Sequence, residues 1–424
     1  MTPNALKTEK IAALCGMIWF ATVIDACFTW FLPWIVRYLI GTPFVIYATI
    51  LLKKNDGLVL TKERHKLFML FGGLFIFVVI TRISFFSFIN YPLLYSPLLC
   101  IIFWSRSVLV RFYVYLKNFI VFYSIVSIFV EFLVLSGIWT KLPYIILPSQ
   151  DNVQESVGTI NRFYGLFVIP DNPNHDLTFY RAMGPLREGG HFSIFLGFIY
   201  FVDKAIFDRR NVWIIIAGLL SLSPNFVFFY IIAEGYVAIT HKHVKKTVFG
   251  VACFVMVVVG AVWFSPEYIK DEIVRIILER SLEENLENAG TGGYMELLDG
   301  RTNIEGMQMW NHFIKRADFF SILTGASSSE FEEEFVLSDF RCLIFQYGYL
   351  GFILILICTI VISWGENKGL YGICVLLLGL WVMLSRAWMF NNLYIWTMMF
   401  LAVNMKKDRD VNNSHKCSVA IKQK

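Results

Sequence analysis

The chain has 424 residues, 57% of them hydrophobic and only 16% charged, and a mean hydropathy of +0.60, whereas soluble domains carry roughly 25% charged residues. That composition excludes an ordinary soluble fold and points to an integral membrane protein in which lipid replaces much of the core. The net charge of +5 gathers in short basic connections and in the C-terminal tail, with no nucleic-acid signature, and the eight cysteines fall mostly inside apolar runs, which excludes a disulfide framework.

Lys7 and Lys10 precede the first apolar run, 11–28. No small-x-small cleavage site follows and a second run begins almost at once, so the segment reads as an uncleaved first helix. Runs at 31–52, 67–83, 85–104 and 119–138 complete an N-terminal membrane region, residues 1–138. A polar stretch occupies 139–191. The central membrane region, 192–264, has runs at 192–207, 212–223, 226–240 and 248–264. A second polar stretch, 265–341, is acidic and helix-forming over 271–287, then Gly-rich, with room for a short helix lying on the membrane. Runs at 343–364, 370–384 and 389–404 form the C-terminal membrane region, 342–404, and 405–424 is a polar tail.

The expected fold is thus an all-α integral membrane protein of about 12 transmembrane helices, several of them short for the ~20 residues a crossing needs, which leaves room for half-spans. The basic connections Lys53 to Lys66, Arg106 to Lys117, Lys204 to Arg210, His241 to Lys246 and Lys406-Lys407 alternate along the chain. All of them are cytoplasmic only if both termini are, which puts the two long loops outside the cytoplasmic membrane.

Those loops hold the polar residues with no evident structural duty. In the first, Tyr180-Arg181-Ala182-Met183-Gly184-Pro185-Leu186-Arg187-Glu188-Gly189-Gly190-His191 runs straight into an apolar helix. A helix N-terminus favours anions and the guanidinium fork matches phosphate oxygens, so Arg181 and Arg187 form a candidate diphosphate clamp, with Arg162 of the same loop as a further substrate-binding candidate. The alternative for each arginine is to snorkel to lipid headgroups. Glu188 or His191 would accept a proton from a hydroxyl. In the second loop Arg301, after Asp299-Gly300 and before Trp310, either adds to a shared cationic site or joins an ordinary ion pair at a helix cap. Asp339 stands at the outer edge of the next span.

Within the apolar runs Asp25, Arg37, Arg82, Glu131, Glu234 and Arg386 are charges that must face protein or water. Pairing between helices is the plainer role for most of them, and Arg82 and Arg386, near predicted outer ends, could also line a site. Asp408-Arg409-Asp410 and the pair His241, His243 look like metal motifs but lie among solvated or basic residues, so no metal is expected.

Arg181-x-x-Gly184-x-x-x-Glu188 before a helix, Gly300-Arg301-Thr302 with Trp310 following, and Asp339 with Gly348-x-x-Gly351 resemble segments of the bacterial O-antigen polymerase and O-antigen ligase-like membrane glycosyltransferases. Two departures stand out: Gly189 replaces a usual proline, and Leu222-Ser223-Pro224-Asn225 lacks an arginine common among such proteins. Ser338-Asp339, where ligases usually carry His-Asn, tilts the resemblance to the polymerases. It implies an enzyme of the bacterial cytoplasmic (inner) membrane that transfers a growing glycan from one polyprenyl-diphosphate-linked oligosaccharide to a hydroxyl on another. Arg162, Arg181, Arg187 and Arg301 would bind the substrate, and Glu188, His191 or Asp339 would be the base. No cofactor is implied, and a flippase and a chain-length regulator are expected partners besides membrane lipid. The alternatives are a ligase of the same class or a lipid-linked oligosaccharide flippase or transporter.

Overall fold

The computed structural model describes residues 3–24, 26–82, 85–147, 160–171, 182–186, 188–241, 304–326, 339–364, 369–391 and 393–405. The apolar run at 248–264, Asp25, Arg181, Arg187 and Arg301 lie outside them.

Lipid offers no partner to an unpaired amide or carbonyl, so apolar runs of this length close their own backbone bonds as helices. They are α1 (Pro3–Val23), α2 (Trp34–Lys54), α3 (Lys62–Thr81), α4 (Phe85–Ile101) and α5 (Arg106–Leu135) in the first region. The central region has α6 (Gly189–Phe207), α7 (Val212–Leu220) and α8 (Pro224–His241). Then come α9 (Ile304–Arg316), α10 (Phe319–Thr324), α11 (Phe340–Trp364), α12 (Leu370–Ser385) and α13 (Tyr394–Met405). The fold is mostly helical, and among the described residues five helices, α2, α3, α5, α6 and α11, are long and apolar enough to cross a membrane.

Two features depart from the expected all-α pattern. The first polar loop contains a small antiparallel sheet, β1 (Ile145–Leu147), β2 (Ile160–Phe163) and β3 (Val168–Asp171), in sequential order. In addition, α5 starts at Arg106, well before the apolar run at 119: Val108, Leu109, Phe112, Tyr113 and Leu116 recur at helical spacing and are all buried, so the basic connection is itself the first turns of the helix.

Helix α6 is the centre of the bundle. In its most apolar window 94% of residues are buried, against 28–44% for the other four long helices, so protein rather than lipid surrounds it. Phe195 meets Phe20 of α1 and Tyr394 of α13, Phe198 meets Phe229 of α8, and Phe201 meets Tyr371 of α12. Enclosure on this scale makes room for His191, Asp203 and Lys204 on an otherwise apolar helix.

Helix α4 contains Pro97, which has no N–H for the Leu93 carbonyl four residues earlier. The Thr42 hydroxyl of α2 donates to that oxygen at 2.7 Å. Helix α11 is interrupted at Gly348, whose φ of 64° and ψ of −179° is a conformation open essentially only to glycine. A Cβ there would lie 2.2 Å from the Leu323 carbonyl group of α10, so the break is where α10 packs.

Helix ends gather polar groups at two opposite faces. On one, Arg64 donates to the Ile102 carbonyl and to Asn404, Arg111 and Ser107 hold Glu9, and Lys117 pairs with Asp203 at 2.5 Å. Arg210 pairs there with Glu234, which also accepts from the Tyr200 hydroxyl at 2.6 Å. Every basic connection within the described residues ends on this face, and the start of α6 lies on the other.

Candidate functional site

Residues 182–186 are wedged into the helix ends before α6 begins. The Cys27 amide, just after α1, donates to the Pro185 carbonyl at 2.6 Å, the Gly184 amide to Ser127 Oγ of α5 at 3.1 Å, and the Ala182 amide to the Leu220 carbonyl at the end of α7 at 3.0 Å. These ties fix the approach of the chain, and Glu188 follows in an extended conformation as the N-cap of α6.

Its carboxylate meets a cation from far along the chain. Arg386, capping the C-terminal end of α12, donates from Nη2 to Glu188 Oε2 at 2.8 Å. His191 Nε2 lies 3.8 Å from the same oxygen, and the imidazole stands edge-on to Trp388 with ring centres 4.5 Å apart. The Glu188 side chain stays 40% exposed while those of His191 and Arg386 are 8% and 19% exposed, so a half-exposed carboxylate is held by one sheltered guanidinium with a sheltered imidazole beside it.

Gly189 and Gly190 let these elements approach. A Cβ on Gly189 would sit 2.9 Å from the Ser221 carbonyl oxygen, and one on Gly190 3.1 Å from Arg386 Nη2. Proline does not fit at 189 without displacing α7. Asn225 joins three helices: it donates to the Gly190 carbonyl of α6 at 3.4 Å and accepts from Trp381 Nε1 of α12 at 3.0 Å, while Ser223 just before α8 meets Ser193 of α6.

A second polar cluster adjoins through residues 386–391. Arg82, at the end of α3, donates to the Gln346 carbonyl just before the break in α11 and lies over the Tyr347 ring. Asn391 donates to Gln346 Oε1 and accepts from the Tyr347 hydroxyl at 3.1 Å. Carbonyls released by a helix break at this depth need such donors.

The other predicted residues fall elsewhere. Asp339 is buried and grips Arg341 through both carboxylate oxygens, Oδ2 accepting from Nη2 at 2.5 Å and Oδ1 from Nε at 3.1 Å, so its acceptor capacity is already engaged. Arg162, on β2, lies over the rings of Trp139 and Tyr144. Arg386 and Arg82 were visible in the sequence as buried charges near helix ends, but nothing in the sequence pairs either with its partner, 198 and 264 residues away.

Among the described residues no group of His, Cys, Asp or Glu is placed to hold a metal ion. Comparison with protein-family models, with curated proteins and with solved structures finds no match. What the fold defines is a class: a predominantly helical protein of the multi-pass membrane type, with a carboxylate, an imidazole and a guanidinium converging at the end of its central helix.

Proposed function

We propose that the protein is a membrane glycosyltransferase that joins polyprenyl-diphosphate-linked oligosaccharide units into a surface polysaccharide, an O-antigen or a capsule, on the outer side of the bacterial cytoplasmic membrane. The observation that carries this reading is the Glu188–Arg386–His191 cluster at the start of α6, directly after the loop that contains Arg181 and Arg187. In this reading about twelve spans place both termini in the cytoplasm, with the basic face inward.

The reaction needs an acceptor for the proton of an attacking sugar hydroxyl and cations for the departing lipid diphosphate. Glu188, half-open and oriented by Arg386, takes the proton as the acceptor oxygen attacks the anomeric carbon of the donor. The bond from that carbon to the diphosphate oxygen breaks, and the leaving charge falls to the loop arginines Arg181, Arg187 and Arg301. His191 places a second proton-accepting group beside Glu188, and Trp388 limits its swing. Asp339 serves the fold through Arg341. No cofactor is required.

The test uses a deletion strain complemented with wild type, Arg181→Ala, Arg301→Ala or Glu188→Gln at matched protein levels, with surface glycans resolved by length on a gel. Single repeat units on the final acceptor are expected in the deletion and in each variant. Loss of all glycan from the acceptor with long lipid-linked chains accumulating identifies a ligase instead. Undiminished long chains in the deletion contradict the glycosyltransferase reading.

A further inference from the structure

We propose that the elbow formed by α9 and α10 is a membrane-surface foot that seats in the headgroup layer of a leaflet containing anionic lipid. This inference is independent of the reaction assigned above.

It starts from the spacing in α9, where Trp310, Phe313 and Ile314 share one side of the helix while Asn311, His312, Lys315 and Arg316 occupy the other. Phe313 is buried against Phe345 of α11, with ring centres 4.9 Å apart, and the Ala326 amide after α10 donates to the Phe345 carbonyl at 2.8 Å. With the contact of α10 at Gly348, these ties pin the elbow beside the break in α11. Its apolar side is nevertheless open: Phe319 and Phe320, adjacent in α10, are 78% and 69% exposed.

The height of the elbow identifies what covers it. Immediately past the break α11 turns an open stripe outward, Leu350, Ile353, Ile357 and Ile360, the side an apolar crossing helix gives to acyl chains. Open phenylalanines at the top of that stripe, with Lys315 and Arg316 just before them in the chain, reproduce the order acyl chain, aromatic boundary, charged headgroup. The acidic neighbour, Asp318, caps α10: its exposed carboxylate accepts the Ser321 amide at 2.6 Å, a bond that holds the carboxyl below the usual carboxylate range and keeps it charged. Lys315 and Arg316 outweigh that single charge, so the elbow offers headgroups a net positive charge, which selects anionic lipid.

The experiment places a genetically encoded nitroxide amino acid at position 320 of the full-length protein in nanodiscs, with Phe319 and polar-side Asn311 as parallel positions. Collision with oxygen and with a water-soluble nickel chelate is measured by power saturation. Oxygen-to-nickel collision ratios severalfold higher at 319 and 320 than at 311, rising when phosphatidylglycerol is added to phosphatidylcholine, are expected. The Lys315→Glu/Arg316→Glu variant is expected to lose the rise. Nickel access at 320 equal to that at 311 overturns the proposal. So does exclusion of both reagents with dipolar broadening between labels, which assigns the face to a second copy of the chain. Insertion indifferent to phosphatidylglycerol overturns the choice of an anionic leaflet.

Discussion

In the proposed reaction Glu188 is the residue on which the chemistry turns, because its carboxylate is oriented by Arg386 at 2.8 Å while its side chain stays 40% exposed. Glu188→Gln keeps the shape and a hydrogen-bond acceptor but not the proton acceptor, so polymer formation is expected to fall by about 10²- to 10⁴-fold with the melting temperature unchanged. Arg386→Lys keeps the charge and loses the planar fork, and a loss intermediate between wild type and Arg386→Ala is expected. Asp339 separates structure from catalysis. Asp339→Ala strands the Arg341 cation in a buried site, a cost of about 3–5 kcal/mol, whereas replacing both residues with apolar ones of similar volume recovers most of the thermal stability. A variant of Asp339 that lost polymer formation at full stability would instead make it a participant in the reaction.

Helices in this bundle are tied where their own hydrogen bonding fails. Thr42→Val removes the hydroxyl that serves the Leu93 carbonyl below Pro97, and a loss of about 1–3 kcal/mol is expected, read as a lower unfolding midpoint in detergent. Gly348→Ala meets a backbone only glycine adopts, at about 1–3 kcal/mol, and also collides with Leu323, so poor yield of monodisperse protein is expected. Much of this scale was legible in sequence: the apolar runs within the described residues became helices, most with ends shifted by a few residues and α1 and α5 starting earlier, and the loop before α6 was marked by its Arg, Gly and Glu pattern. Strands of three or four residues in a polar loop have no such signature, and the early start of α5 was hidden because the charges of Arg106 and Arg111 interrupt its apolar run. The candidate cluster was half legible. Glu188 and His191 stand out in the sequence by their position before an apolar helix, while Arg386 joins them through a contact that only the folded chain creates.

For the molecule as a whole, the segregation of polar groups between two faces decides how the chain sits in a bilayer. One face gathers Arg64, Arg106, Arg111, Lys117, Lys204 and Arg210, partnered by Glu9, Asp203, Asp208, Glu234 and Asn404. With that face in the cytoplasm, a reporter active only outside is expected to work when inserted after Ser149 and to fail when fused after Lys424. At this scale the packing also explains local choices of residue: a Cβ on Gly189 would lie 2.9 Å from the Ser221 carbonyl oxygen at the end of α7, and Arg386 brings a cation to Glu188 from far along the sequence. The most direct measurement is reconstitution of the purified protein in liposomes with polyprenyl-diphosphate-linked repeat units as its sole substrate, products resolved by length and mass. Wild type is expected to build a ladder of lipid-linked oligomers with release of polyprenyl diphosphate, and Glu188→Gln to leave single units. Single units persisting with wild-type protein under conditions where it is folded, or an undiminished ladder from Glu188→Gln, would contradict a polymerase centred on the start of α6.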